Sequence, residues 1–529
     1  MAARTELPEH VQALLSAGAY PHVIGGDVRL IQTHVSYVFL AGEDVYKIKK
    51  PIDFGFIDYS TLAKRRKACE DEVRLNKRGC PEIYLDVVPI TGHGHSYRVG
   101  GRMGVIDYAV HMKRLPEGRM MDKLVANDAV TLPMLGQLAA RLASFHDAAE
   151  RSAEITRIGG AASFTKNWRD NLEALGRYER RTIGPTQLRT LHTFCQAFPG
   201  TEAALLRRRE TDGWIRDCHG DLRSDAVCYD ESLSGGIGFV DCIEFNDALR
   251  YTDTGLDIAF LAMDLEFRGR ADLADVLVGL YCVAIGDREL PLLLRGYRCY
   301  RAGVRGLVES LTLDRPEVGA EQKAGARGRA RRYVALATSC AKPSKPAGIV
   351  LVMGLSGSGK SVLAGAVASR IGAVYLATDV LRRDPDATPS GGGNDIDAGK
   401  YSAEQRGRVY DLMAELAEAY ARESRSVVLD GTYIEKHQRE RIDAIARQLG
   451  VPFTVVECSA PDSVVRKRQE QRQSEPWTAS EGRWEVYLAQ KQRYEAPDEV
   501  PASRLVSVDT TQELADQIEA VTEKLRRGR

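Results

Sequence analysis

Residues 354–361 read Gly-Leu-Ser-Gly-Ser-Gly-Lys-Ser, and this octet constrains the fold more than any other stretch of the chain. An apolar run, Gly348–Met353, leads into it, and Val362-Leu-Ala-Gly-Ala-Val-Ala leads out as a helix. Glycines let the backbone close around a phosphate with its N–H groups pointing inward. A helix that begins at the same point adds positive potential. The spacing GxxxxGK[ST] is met in full, in the strand–loop–helix context that a phosphate cradle needs. Lys360 is expected to reach the β- and γ-phosphates of a nucleotide, and Ser361 to ligate Mg²⁺. Gly354, Ser356, Gly357, Ser358, Gly359 and Val362 complete the expected cradle.

After the octet, apolar strands alternate with helices. Strands are expected at 349–353, 374–377, 426–430, 453–458 and 504–508. This alternation predicts an α/β fold with a five-stranded parallel sheet and helices on both faces. Ligands in such sheets sit at the C-terminal ends of the strands. Asp379 stands there after the second strand, as a base or orienter for an acceptor hydroxyl, or alternatively as a helix cap. Arg382, three residues on, is placed to hold an acceptor anion. Asp430 ends the third strand, where a partner of Mg²⁺ is required. Arg468 and Arg472 lie in Val465–Arg472 and are candidates to close over the transferring phosphate; a solvated helix face is the rival reading.

The 529 residues carry 73 Lys plus Arg against 73 Asp plus Glu. That neutral balance argues against nucleic acid as a partner. The longest apolar run spans six residues, and a membrane helix needs about 20. The opening MAARTELPEH has no basic region followed by an apolar core, so no secretion signal is expected. Ten cysteines without metal-ligand spacing predict free thiols in a reducing cytoplasm. Cys218, Cys228 and Cys242 read as small buried apolar residues.

The clearest break is Cys340-Ala-Lys-Pro-Ser-Lys-Pro346, whose prolines suit neither a helix nor a central strand. It predicts a linker at 340–347, with one unit over 1–339 and another over 348–529. The helix read over 320–339 has a basic face, most simply a solvated one. Residues 21–112 alternate in short runs around one helix at about 60–78. Residues 120–335 are helical in pattern, with a β island at 226–245. The first half is therefore read as a β lobe over about 1–112 and a helical lobe over about 113–339.

Four segments of the second half, GLSGSGKS, TDVLRRD, VVLDGTY and VVRKRQEQR, together resemble the small P-loop kinases related to gluconate kinase, zeta toxins, chloramphenicol phosphotransferase and polynucleotide kinase. Over 346–529 the resemblance implies phosphoryl transfer from ATP, with Mg²⁺, to a hydroxyl. It leaves the acceptor open.

In the first half, Cys218-His-Gly-Asp221-Leu is followed by Phe239-Val-Asp241 and then by Asp257-Ile-Ala-Phe-Leu-Ala. This pattern resembles the aminoglycoside phosphotransferase family, which has the bilobal protein-kinase-like fold. The resemblance implies that Asp221 orients the acceptor hydroxyl, that Asp241 holds Mg²⁺, and that Asp257 braces the catalytic loop. It makes Lys47 the nucleotide-binding lysine, with Lys49 on the same strand face as the alternative, and Glu72 its partner. Residues 108–118 resemble the hinge that holds adenine. Two positions depart from the pattern. Ala226 replaces the family's metal-binding Asn, with Asp225 beside it, and Thr33-His-Val-Ser36 stands where a glycine-rich loop is usual. KKPIDFGFIDYSTL and VDCIEFNDALRY extend the likeness to a bacterial group in which both kinds of domain are fused.

The function these readings predict is a two-site, ATP-dependent phosphotransferase acting on a small molecule. Two alternatives stay open. The first half could regulate a P-loop kinase as a pseudokinase or substrate-binding domain, or the chain could be an ATP-driven switch acting through a protein partner.

Overall fold

The computed structural model describes residues 7–527 apart from 23, 54, 56, 317, 343–347, 382–402 and 474–483. The chain is mixed α/β and forms two compact units.

The first unit begins with strands β1 (Arg29–Gln32), β2 (Ser36–Ala41), β3 (Asp44–Lys49), β4 (Tyr84–His93), β5 (Ser96–Val99) and β6 (Val105–Lys113). They form one antiparallel sheet in the order β1-β2-β3-β6-β4-β5. The helix Leu62–Asn76 packs on β4 and β6, and the Thr61 hydroxyl caps it by accepting the Lys64 N–H at 3.3 Å. Phe39, Tyr46, Ile48, Ile90 and Ala109 supply the buried face of the sheet. Helices follow, interrupted by short antiparallel pairs: β7 (Ile215–Asp217) with β10 (Tyr251–Asp253), and β8 (Val227–Tyr229) with β9 (Ile237–Phe239). A sheet followed by helices with short β pairs is the order expected from the sequence for this half.

The second unit holds β11 (Ile349–Met353), β12 (Val374–Ala377), β13 (Val427–Asp430), β14 (Phe453–Ser459) and β15 (Leu505–Asp509). All five are parallel, in the order β12-β13-β11-β14-β15. Every residue of β11 is buried, as a central parallel strand covered on both faces requires. Ile349, Leu351 and Met353 pack with Met413, Ala417 and Ile442 from the covering helices. The strands fall within one residue of the positions expected from the sequence.

The division of the chain differs from the single cut expected between 339 and 348. One unit comprises Met1–Val130, Ala148–Asp264 and Cys299–Thr338, and the other Thr131–Asp147, Leu265–Arg298 and Ser339–Arg529. The helix Ala320–Ala341 continues into the expected linker, and 343–347 lie outside the described residues. The reason is packing. The helix Ala271–Ile285 lies so close to the helix Lys360–Ile371 that a Cβ on Gly279 would meet the Gly365 backbone at 2.6 Å. Asp275, 1% exposed, accepts from the Ser369 hydroxyl at 2.9 Å and pairs with Arg370. Side-chain packing of this kind leaves no breaker in the sequence to mark it.

Candidate functional site

In the second unit, β11 ends at Met353 and the helix Lys360–Ile371 begins seven residues later, with the glycine-rich loop between them. Gly357 and Gly359 have φ of +83° and +89°, a region that side chains disfavour. Gly354 has no room for one either: a Cβ there would meet the Cys458 carbonyl oxygen at 2.5 Å.

Asp430 ends β13 beside the loop and is 3% exposed. Its Oδ2 accepts from the Tyr375 hydroxyl at 2.8 Å, and that hydroxyl also donates to the Ser361 carbonyl at 3.2 Å. Its Oδ1 has no hydrogen-bond partner, and neither does the buried Ser358 hydroxyl. Burial pushes the Asp430 carboxyl up, while the Lys360 charge and the Ser361 and Tyr375 hydroxyls pull it down. The charge of Asp379 adds to the rise. Asp379 lies in the short helix Thr378–Leu381 after β12, so the sheet brings Lys360, Ser361, Asp379 and Asp430 to the C-terminal ends of its strands. An unpartnered buried carboxylate oxygen, a hydroxyl at the first helical turn and a cradle of glycines suit a Mg²⁺–nucleotide.

Two arginines expected here are not described in full. Arg382 lies outside the described residues, and for Arg472 only the helical backbone is described. Arg468 lies beside the loop, its Nη1 3.2 Å from where a Cβ on Gly359 would be. Its Nη1 donates to the Thr510 hydroxyl at 2.9 Å and its Nη2 to the Thr510 carbonyl at 2.7 Å. Thr510 follows β15 directly, and its hydroxyl in turn donates to the Ser358 carbonyl at 2.5 Å. Arg468 thus ties the end of β15 to the loop. Gln490, from the helix Trp484–Gln492, accepts the Ser356 N–H at 2.8 Å, and Gln469 donates to the Ser356 carbonyl at 3.3 Å. Sequence reasoning missed Tyr375, Thr510, Gln469 and Gln490. A lone Tyr, Thr or Gln carries no motif, and only the sheet order brings them to the loop.

The first unit has a second constellation. The Lys47 ammonium on β3 donates to Glu72 Oε1 at 2.8 Å and to Asp241 Oδ1 at 2.7 Å. Lys49, on the same strand face, meets Glu72 Oε2 at 2.5 Å and pairs with Glu244. Glu72 therefore bridges both candidate lysines, and only Lys47 also reaches Asp241. Burial lowers the pKa of Lys47, but the Asp241 and Glu72 carboxylates outweigh it and hold the ammonium charged. Lys47 in turn holds the Asp241 carboxyl down to about 2. Asp241 has φ of +62°, an uncommon backbone state for a residue other than glycine, and its N–H donates to the Tyr84 hydroxyl at 3.1 Å.

Asp257 is fully buried and accepts the backbone N–H groups of His219 at 2.7 Å and Gly220 at 2.9 Å, which sets the loop that carries Asp221. Asp221 accepts from Arg223 Nε at 3.1 Å, and Arg223 Nη1 reaches Asp225 Oδ2 at 2.8 Å. Asp225 thus faces Arg223, and Ala226 is buried at 4% exposure. Thr33 to Ser36 form the turn between β1 and β2, closed by the Ser36 N–H on the Thr33 hydroxyl at 2.9 Å. The expected hinge, 108–118, begins inside β6 and runs past its end at Lys113. All ten cysteines are free thiols, and burial pushes that of Cys242 up to about 12. Among the described residues, no helix is long and apolar enough to cross a membrane.

A family model described as an AAA domain matches residues 349–497. The uncharacterized protein Rv2004c of Mycobacterium tuberculosis is 31% identical over 448 residues, covering 84% of this chain and 85% of that protein. The chain belongs to the same family. The 448 aligned residues exceed the length of either unit, so the likeness extends into both. Among solved structures, a gluconokinase from Sinorhizobium meliloti covers 35% of this chain and 94% of its own at 21% identity, with a TM-score of 0.26. A choline/ethanolamine kinase family protein from Mesorhizobium loti covers 59% of this chain and 93% of its own at 13% identity, with a TM-score of 0.34.

Proposed function

We propose that this protein is an ATP- and Mg²⁺-dependent phosphotransferase that acts on a hydroxyl of a small molecule through its glycine-rich loop, with a second, kinase-like nucleotide site in the first unit. The observation that supports it most is the meeting of Lys360, Ser361 and the unpartnered Asp430 Oδ1 at one end of the parallel sheet. A bound Mg²⁺–nucleotide would supply the transferable phosphoryl group with part of its charge neutralised. The loop N–H groups and Lys360 bind and orient the phosphates. Asp379 takes the proton of the acceptor hydroxyl as the new P–O bond forms and the bond to the departing nucleoside diphosphate breaks. Ser361 and Asp430 would hold the metal.

In the first unit, Lys47 and Asp241 are placed to bind a second nucleotide, and Asp221 to orient an acceptor. One observation favours a regulatory reading of this unit. Arg223 neutralises Asp221, and Ala226 offers no metal ligand. In that reading the first unit binds nucleotide and transfers slowly or not at all.

The test is a screen of a metabolite pool for ATP-dependent phosphorylation by the full chain, with Lys360→Ala and Asp221→Ala alongside. A product lost in Lys360→Ala and kept in Asp221→Ala assigns transfer to the loop. A product lost only in Asp221→Ala assigns it to the first unit and overturns the main reading.

A further inference from the structure

Asp241 carries the carboxylate that the proposed function sets against a metal in the first unit, and its backbone is in an uncommon state, φ +62°. A residue other than glycine keeps such a conformation only where its surroundings impose it. Two side chains from outside its own segment do so. The Tyr84 hydroxyl, at the start of β4, accepts the Asp241 N–H at 3.1 Å. Asn76 Oδ1, at the end of the helix Leu62–Asn76, accepts the next amide, that of Cys242, at 2.9 Å. Both residues are 1% exposed. Lys47 holds the Asp241 side chain through Oδ1, and Oδ2 has no hydrogen-bond partner among the described residues.

The helix that supplies Asn76 also supplies Glu72, four residues earlier and so on the same face. Glu72 accepts from the Lys47 ammonium at 2.8 Å. The Asn76 side-chain nitrogen donates to the Glu72 carbonyl at 2.9 Å, which turns its Oδ1 towards Cys242. One helix face therefore sets the lysine and the carboxylate against each other. The residues before Asp241 are tied as well. The Phe239 N–H donates to the Gly79 carbonyl at 3.3 Å, and His219 Nε2 donates to the Val240 carbonyl at 2.9 Å. All these bonds are made within the protein, so the conformation of Asp241 does not depend on a nucleotide. An open carboxylate oxygen on a backbone fixed in this way suits a divalent cation held with the phosphates of a nucleotide.

We propose, resting on the reading of Lys47 and Asp241 as a nucleotide site, that Tyr84 and Asn76 are positioning residues for its metal-binding carboxylate. They set Asp241 before the nucleotide arrives, so the site has a fixed metal arm whose backbone does not rearrange on binding. Tyr84 makes a clean probe. Its bond to Asp241 is the hydroxyl's one hydrogen bond among the described residues. Tyr84→Phe removes that bond and leaves the ring packed with Val73, Cys80 and Val110.

The experiment is hydrogen exchange of the full chain, read by mass spectrometry during titration with ADP in Mg²⁺ or in EDTA. A peptide over 33–50 reports occupancy of the first unit separately from the glycine-rich loop, and one over 238–246 reports the Asp241 segment. In the wild type, 238–246 should exchange slowly with and without ADP–Mg²⁺. Tyr84→Phe should speed exchange there and weaken ADP at the first unit about three- to tenfold in Mg²⁺, with little change in EDTA. In an Asp241→Asn background, Tyr84→Phe should cost no further affinity, because the two act as one unit. Asn76→Ala should give the same Mg²⁺-dependent loss, and it carries the decision should Tyr84→Phe not fold. Three results would overturn the proposal and leave the nucleotide site standing: wild-type exchange over 238–246 that slows only with ADP–Mg²⁺, equal losses in Mg²⁺ and EDTA, or wild-type titration in a folded variant. No protection of 33–50 in the wild type by millimolar ADP–Mg²⁺ would overturn the nucleotide site, and the proposal with it.

Discussion

Under the proposed function, the glycine-rich loop and the Lys47 cluster prepare the protein for a phosphate in two ways. The loop does it with backbone. Its donors are N–H groups fixed by glycines at positive φ, and its one cation, Lys360, has no hydrogen bond or ion pair among the described residues. The Lys47 cluster does it with side chains. Two ammoniums and three carboxylates, Glu72, Asp241 and Glu244, neutralise each other at close range. A charge held in reserve can be removed with little effect on folding. A charge already spent in a buried network cannot. The two sites should therefore fail differently when they are damaged.

Lys360→Ala should give the largest effect, and on rate alone. Loss of one preorganised cation at a transferring phosphoryl group is worth about 10²–10³-fold, or about 2.7–4 kcal/mol. Steady-state ATP turnover by the full chain should fall by that factor while the thermal midpoint stays put. A large drop in the midpoint would erase the contrast, by showing that Lys360 also belongs to the fold.

Glu72→Gln should do the reverse. Glu72 is 1% exposed and bridges Lys47 and Lys49. Removing one partner of a buried pair costs about 3–5 kcal/mol, and the low end applies because Asp241 and Glu244 each keep a lysine partner. Urea unfolding of the first unit's transition should report about 3 kcal/mol. Unchanged stability would mean that this cluster is held as loosely as the loop.

The contrast also explains what the sequence disclosed. The loop is legible because its function is written in eight consecutive residues whose backbone demands are specific. The five strands around it are legible because parallel strands buried on both faces read as apolar runs. Lys47 and Asp241 meet across 194 positions, so composition alone could not pair them, and only the likeness to a known family did. Nothing local chose between Lys47 and Lys49, since strand alternation places both on one face. The tie from Arg468 to Thr510 was not legible, because Thr510 lies beyond β15 and carries no motif. The helix Ala271–Ile285 was assigned to the wrong unit for a related reason. Gly279 in a helix reads as a mild defect, and its purpose appears only when Gly365 is seen against it.

That contact gives the third prediction. Gly279→Val would drive a side chain into the Gly365 backbone, where even a Cβ has only 2.6 Å. Overpacking of this kind costs about 1–3 kcal/mol. It should lower the midpoint of the second unit and loosen nucleotide binding at the loop, because the helix displaced is the one that starts at Lys360. If the midpoint falls and affinity at the loop does not, the helix is buttressed for stability alone, and the backbone-built site is more self-sufficient than its surroundings suggest.

The smallest effect should come from Asp241→Asn, and it is read best in acid. Lys47 lowers the Asp241 carboxyl from 3.8 to about 2 in the folded chain. A group with a depressed folded pKa contributes stability above its unfolded pKa and loses it as pH falls through the folded one. The contribution of Asp241 is therefore present above about pH 4 and disappears towards about pH 2. The Asp241 side chain is 67% exposed, so water screens the pair and its worth is below about 1 kcal/mol. Wild type should lose this increment between pH 4 and 2, and Asp241→Asn should show a flatter profile there, with the two curves meeting at the acid end. Nucleotide affinity of the first unit should fall in the same variant at neutral pH, since the carboxylate that would face the metal is gone. Flattening without a loss of affinity would leave Asp241 a partner of Lys47 and nothing more, and would turn the Lys47 cluster from a second nucleotide site into a buried ion network that only looks like one.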